Sequence, residues 1–208
     1  MTSFFKQAHT NVHVSTHAVL GTNMRAEAGA GQEIIYLAAG CFWGVEKAML
    51  NAPGVVTTAT GYMGGHSTNP TYEQVCSHST GHAETVRVVF DTALTSAADL
   101  VQLFFEIHDP TQVGGQGNDI GDQYRSQIWT TTPGQLRDAT ALRAAYQEVL
   151  TERGFGPIQT VISPAPDADS TARFWYAEDY HQQYLFKNPG GYECHARTGI
   201  ACPALPHE

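Results

Sequence analysis

The run Ile34-Ile35-Tyr36-Leu37-Ala38 leads into Gly40-Cys41-Phe42-Trp43-Gly44 and then Val45-Glu46-Lys47-Ala48-Met49-Leu50. An apolar run of this kind needs a sheet to bury it. In the later run, Val45, Ala48 and Met49 fall on one helical face, with Phe42 a turn earlier. The junction is therefore a strand, a glycine-bent turn and the mouth of a helix. A thiol at Cys41 meets the positive end of the helix macrodipole and free backbone N–H groups, which favour its thiolate. The bland alternative is a small buried cysteine capping a strand end. Taken alone, the junction does not choose between them.

The chain beyond Cys41 alternates strand and helix signals. Pro53-Gly54 stops the first helix, and the β-branched stretch Val55 to Thr60 reads as a second strand. Thr85 to Phe90 is a third. Ser96 opens a helix to His108 with Asp99 in its first turn, and Leu100, Leu103, Phe104 and Ile107 form its core face. Gln127 to Thr131 is a strand, Thr132-Pro133-Gly134-Gln135 starts a helix that runs to about Arg153, and Ile158 to Ile162 is a last strand. The order β-α-β-β-α-β, then α-β, predicts an α+β two-layer sandwich of the ferredoxin-like, split β-α-β kind. Its helices would cover one face and leave the sheet open on the other. The expected organisation is an N-terminal arm (1–32), one catalytic domain (33–189) and a mobile C-terminal tail (190–208).

Charge narrows the function. Charged residues make up only 15% and the formal net charge is -9, which argues against nucleic acid or an anionic membrane as partner. No apolar run is long enough to span a bilayer. Met1-Thr2-Ser3-Phe4-Phe5-Lys6 is not followed by an uninterrupted apolar stretch, so a secretory signal is not expected and the default is a soluble cytoplasmic monomer. Without a G-x-G-x-x-G or Walker loop no nucleotide is expected. The spacing of Cys76, His78 and His82 matches no structural zinc pattern, so neither metal nor other bound cofactor is expected.

Cys41, Cys76, Cys194 and Cys202 are the only cysteines, too few for a disulfide-stapled fold of this size. Three irregular segments hold most of the unusual polar residues, the third being the tail with Cys194 and Cys202. Tyr62 to Glu84 contains Tyr72, Cys76, His78, His82 and Glu84; Asp109 to Ser126 contains Gln116, Asn118, Asp119, Tyr124 and Arg125. Glu84 stands where its loop re-enters an apolar strand. A carboxyl held there beside aromatic rings has a raised pKa and can donate a proton. Tyr72 and Tyr124 are equally readable as aromatics that pack loops onto the sheet. Cys194 and Cys202 read as resolving thiols, and Cys76 as structural.

In these motifs the chain resembles the A-type methionine sulfoxide reductases, the peptide-methionine (S)-S-oxide reductase family, from Ile34 to Lys187. The motifs are Gly40-Cys41-Phe42-Trp43-Gly44, Gly61-Tyr62-Met63-Gly64-Gly65, Asn69-Pro70-Thr71-Tyr72-Glu73 and Gly81-His82-Ala83-Glu84. They continue with His108-Asp109-Pro110-Thr111-Gln112, Gln116-Gly117-Asn118-Asp119, Tyr124-Arg125-Ser126 and the run Tyr176 to Tyr184. The resemblance implies that Cys41 attacks the sulfoxide sulfur and that Phe42 and Trp43 hold its methyl group. It implies that Glu84 supplies a proton, that Tyr72 and Tyr124 hydrogen-bond the sulfoxide oxygen, and that Asp119 supports the site. Cys194 would then condense with the Cys41 sulfenic acid, Cys202 would attack Cys194, and thioredoxin would reduce the final disulfide. Substrates would be oxidised proteins, peptides or free methionine sulfoxide. In the tail, Glu193 intervenes between Tyr192 and Cys194, where the family commonly has the cysteine directly after a Gly-Tyr pair. Two competing readings are a redox switch or methionine-binding module without turnover, and an acyl-transferase or hydrolase pairing Cys41 with His78 or His82.

Overall fold

The computed structural model describes residues 15–194 and 196–205. Residues 1–14, which carry the run judged not to be a secretory signal, lie outside that range, as do His195 and residues 206–208 at the tail.

The chain is a mixed α+β structure built on one six-stranded sheet. Its elements are β1 (Gln32–Ala39), α1 (Phe42–Leu50), β2 (Val55–Met63), α2 (Tyr72–Cys76) and β3 (Ala83–Asp91). There follow α3 (Ala97–Glu106), a small ribbon of β4 (Gly115–Gln116) and β5 (Asp119–Ile120), a short 3-10 turn (Asp122–Tyr124) and β6 (Ser126–Thr130). The last are α4 (Pro133–Glu152), β7 (Val161–Pro164), β8 (Trp175–Tyr176) and α5 (Tyr184–Lys187). The strand order is β7-β6-β1-β3-β2-β8. All neighbours pair antiparallel except β6 and β7.

Local signals explain the helices. Ser96 caps α3 through a reciprocal capping box with Asp99, and Thr132 caps α4 ahead of a proline in its first turn. Their apolar faces, with that of α1, bury Ile35, Leu37, Val86, Val88 and Phe90 of the sheet in one core. β3 is almost wholly buried because it lies mid-sheet and is covered on both faces. The open second face expected from the element order is in fact partly closed. Arg87, alternating with Val86 and Val88, donates to the Met24 and Ala26 carbonyls at 3.1 and 2.6 Å and so ties the arm down. Phe174 packs with Met63, Ala83 and Trp129. A buried guanidinium needs acceptors, and the arm's carbonyls supply them.

Boundaries shift in informative places. β2 and β3 extend to Met63 and back to Ala83, so the long connection between them is shorter than expected and contains α2, capped by Thr71 and Gln74. β7 begins at Val161, three residues after the expected Ile158, which instead turns inward at 7% exposure.

Candidate active site

Cys41 is the residue immediately before α1, and its position depends on Gly40. Gly40 has φ +88°, and a Cβ there would fall 2.8 Å from the Gln116 side chain. Only glycine both adopts that angle and lets the β4–β5 ribbon approach so closely. The ribbon thereby brings Asp119 to the strand–helix junction.

Glu84 lies on β3, in register with Tyr62 of β2. At 2% exposure its Oε2 accepts the Phe42 backbone N–H at 3.0 Å. The carboxyl thus occupies a helix N-terminal donor next to Cys41. Burial is the main cause that raises the Glu84 pKa to about 8, with Asp119 adding to it and the Phe42 N–H opposing it. Glu84 therefore holds its proton at neutral pH. The thiolate expected at the helix mouth is not favoured in this resting arrangement. Burial pushes the Cys41 thiol above its ordinary value, Glu84 pushes in the same direction, and the Trp43 N–H opposes them. Desolvation of the thiol outweighs the helix-end field, and the Glu84 carboxyl already takes the Phe42 N–H at that end.

One cavity of about 170 Å³ collects the expected residues: Cys41, Phe42, Trp43, Tyr72, Glu84, Asp119 and Tyr124. Tyr192 completes its lining, and its hydroxyl donates to Asp119 Oδ1 at 3.2 Å. The other Asp119 oxygen is buried without a partner. Burial is the first cause that keeps the Tyr72 and Tyr124 phenols protonated well above their ordinary range. Both can donate to an oxygen placed in the cavity. Tyr72 and Cys76 stand one turn apart on α2, and after burial Cys76 is the next cause that pushes the Tyr72 phenol up.

The aromatic wall has a second layer that the residue pattern alone did not reveal. Trp43 Nε1 donates to His181 Nδ1 at 3.1 Å, and the indole stacks on Tyr184 with centroids 3.8 Å apart. The His181 ring, 1% exposed, also packs on Phe42 and Tyr72 at 4.9 and 4.6 Å. Burial lowers its pKa to about 4, and accepting the indole N–H at Nδ1 places the proton of the neutral ring on Nε2. Glu178 accepts from the Tyr62 hydroxyl and the Tyr72 backbone N–H, both at 2.8 Å. The available signal was the aromatic-rich run Tyr176 to Tyr184.

The two tail cysteines part company. Cys194 lines a small cavity together with Cys41, and its thiol points to the Gln116 carbonyl at 3.5 Å. Lys47 and Glu193 pair at 2.6 Å and hold this end of the tail against α1. Cys202 is elsewhere, 2% exposed against α3. Its N–H donates to Glu106 and its carbonyl accepts from Gln102, each at 2.9 Å. Tyr146 of α4 bonds Thr198 and the Ile200 carbonyl at 2.7 and 2.8 Å. All four cysteines are free thiols.

Neither histidine of the acyl-transfer reading lines the Cys41 cavity. His82 is buried, with its ring nitrogens bonded to the Gly65 N–H and the Ser67 carbonyl; His78 pairs with Asp122 at the surface. Among the described residues no group of three or more His, Cys, Asp or Glu is arranged to hold a metal ion. No helix among them is long and apolar enough to cross a membrane.

A buried thiol beside a protonated carboxyl and two phenols suits attack on an atom whose attached oxygen must be protonated. The family model for peptide methionine sulfoxide reductase matches residues 33–205. The chain belongs to the peptide methionine sulfoxide reductase family. It is 51% identical to peptide methionine sulfoxide reductase MsrA of Rhodospirillum centenum over 187 residues, 90% of this chain and 83% of that protein. Methionine sulfoxide reductase A of Corynebacterium diphtheriae has a similar structure, with TM-score 0.81 and 42% identity over 95% of this chain and 93% of that one. Reduced Mxr1 of Saccharomyces cerevisiae follows at TM-score 0.71 and 34% identity, covering 82% and 94%. As a peptide methionine sulfoxide reductase family member, the chain carries the resemblance first seen from Ile34 to Lys187 into the tail, where the match includes both Cys194 and Cys202.

Proposed function

We propose that the protein reduces methionine S-sulfoxide, free or within peptides and oxidised proteins, to methionine, and that Cys41 and Glu84 carry the chemistry. The observation behind this reading is the pairing of a protonated Glu84 with the Cys41 thiol at one cavity walled by Phe42 and Trp43. A sulfoxide sulfur is a poor electrophile until its oxygen is protonated or strongly hydrogen-bonded. Glu84, Tyr72 and Tyr124 are donors for that oxygen, and Asp119 anchors Tyr192 beside them. The aromatic pair accepts the S-methyl group.

Cys41 sulfur attacks the sulfoxide sulfur as Glu84 protonates the oxygen. Proton given by Glu84 is replaced by that of the Cys41 thiol, so thiol plus sulfoxide become sulfenic acid plus methionine, with sulfur of Cys41 oxidised and that of the substrate reduced. The Cys194 thiol displaces water from the sulfenic acid and forms the Cys41–Cys194 disulfide. Cys202 then attacks Cys194 and frees Cys41, and the Cys194–Cys202 disulfide passes to the dithiol of thioredoxin. Support for the last step is the yeast relative Mxr1, which is known in complex with Trx2.

The reading includes a cytoplasmic monomer without a bound cofactor. It also includes a ferredoxin-like core, supported by the order β6-β1-β3-β2 of its antiparallel strands, and a tail beyond residue 189 that moves during turnover.

The test is a single turnover of fully reduced protein on separated S and R epimers of N-acetyl methionine sulfoxide, with product and remaining thiols counted together. Methionine from the S epimer alone, with paired loss of thiols, is expected. No product from either epimer would leave the binding-module reading in its place.

A further inference from the structure

Trp43 is a shared wall. On one side it lines the Cys41 cavity. On another it closes the end of a separate groove of about 500 Å³, formed with Val19, Leu50, Leu185, Phe186 and Pro189. The groove and the site share this indole, which His181 and Tyr184 hold in place. Phe186 of α5 and Val19 of the arm, both on its lining, remain 58% and 40% exposed. Large apolar side chains left in water beside a concave surface mark a place where something apolar is received.

The groove's length and charge indicate what that is. It follows α1 from Trp43 in the first turn to Asn51 at the C-cap, about 12 Å at the helical rise. An extended peptide covers that distance in roughly three to four residues. The one cation on its lining, Lys47, is already paired with Glu193, and the chain as a whole is strongly acidic. An acidic side chain has nothing to attract it there, whereas an apolar one exchanges water for Phe186, Leu185 and Val19.

We propose that this groove is a substrate subsite that receives an apolar side chain two or three residues from the methionine sulfoxide of a peptide. The proposal rests on the reductase reading above. It makes the protein discriminate among oxidised peptides by a neighbouring residue, while free or blocked methionine sulfoxide uses the Cys41 cavity alone.

The test compares blocked pentapeptides with central methionine sulfoxide and Leu or Asp two residues to either side, with dithiothreitol as reductant. N-acetyl methionine sulfoxide methylamide is the control. The unaltered protein should prefer the better-placed Leu peptide over its Asp counterpart by about tenfold in kcat/KM, the worth of a largely buried apolar side chain. Phe186→Asp and Val19→Asp, both at exposed positions, should bring that ratio close to one and leave the control rate unchanged. Equal rates for Leu and Asp peptides in the unaltered protein would overturn the subsite, as would a preference that survives both substitutions. A fall in the control rate as large as that for the peptides would reduce the effect to lost structure, and also overturns it. A preference that emerges only after removal of residues 1–14 would assign the groove to that segment. A dimer in sedimentation that Phe186→Asp dissolves would assign it to a second copy of the chain. Failure to reduce the control at all would instead sink the reductase reading.

Discussion

The Glu84 carboxyl accepts the Phe42 backbone N–H at 3.0 Å, so the acid of the site and the helix that presents the thiol share one hydrogen bond. This contact aims the carboxyl at the cavity and takes up a helix N-terminal donor that a Cys41 thiolate could otherwise use. A neutral resting pair follows, and charge separates only when substrate supplies an oxygen to receive the proton.

The single-turnover rate should accordingly fall as pH rises through about 8, where Glu84 loses its proton. Glu84→Gln should lower the rate by about a hundredfold, the usual worth of a positioned general acid, and remove that limb of the profile. The amide still donates a hydrogen bond, so some activity should remain. Rapid-quench measurement from pH 6 to 9 checks both; an unchanged rate in Glu84→Gln would exclude the acid role.

The same carboxyl makes stability depend on pH. Its folded pKa of about 8 lies above the ordinary 4.5 of a glutamate, so between those values the folded state binds more protons than the unfolded one. Stability should therefore decline as pH rises from about 4.5 to 8 and level off above. Glu46, buried and raised to about 7 chiefly by desolvation, contributes a similar decline that ends earlier. Urea midpoints across this range should show a shallower slope for Glu84→Gln than for the unaltered protein.

His181→Ala removes the acceptor of the Trp43 indole and opens a hole among Phe42, Trp43 and Tyr72. We expect a loss of about 2–4 kcal/mol in stability, in line with large buried truncations, and a rise in KM because the methyl pocket loses a fixed wall. His181→Asn should recover part of the KM if its side-chain oxygen accepts the indole N–H. Denaturant titration and steady-state kinetics on both variants separate packing from orientation.

Cys194 already stands beside Cys41, whereas Cys202 is seated on α3 and must leave that seat to attack. Cys194→Ser should still release one methionine per chain but accumulate sulfenic acid, trappable with dimedone. Tyr146→Phe loses the hydroxyl that holds Thr198 and Ile200. It should speed formation of the Cys194–Cys202 disulfide several-fold, read by timed alkylation and mass spectrometry, without altering the first methionine burst.

Much of this arrangement was legible in the residues. The strand–glycine–helix passage around Cys41, the caps at Ser96 and Thr132, and the suspicion attached to Glu84 all depend on neighbours within a few positions. Tyr72, Glu84, Asp119 and Tyr124 fall in two irregular segments that converge on the cavity beside Cys41. What escaped were features without a local signature. α2 is a single capped turn with little apolar periodicity, the arm's grip on Arg87 joins residues some sixty positions apart, and nothing near Tyr192 or His181 announces a partner at Asp119 or Trp43.

By itself, then, the sequence determined the order of the principal strands and helices, the glycine-bent turn that presents Cys41, and the family to which its motifs belong, because turn chemistry and side-chain period are written in short stretches of chain. Only the tertiary structure decided the charge state of the site and the places of its thiols. Desolvation of Glu84 and Cys41, the layer of His181 behind Trp43, and the separation of Cys194 from Cys202 arise where strand register and sheet order bring distant residues together, and burial there outweighs the helix-end field that a local reading would trust.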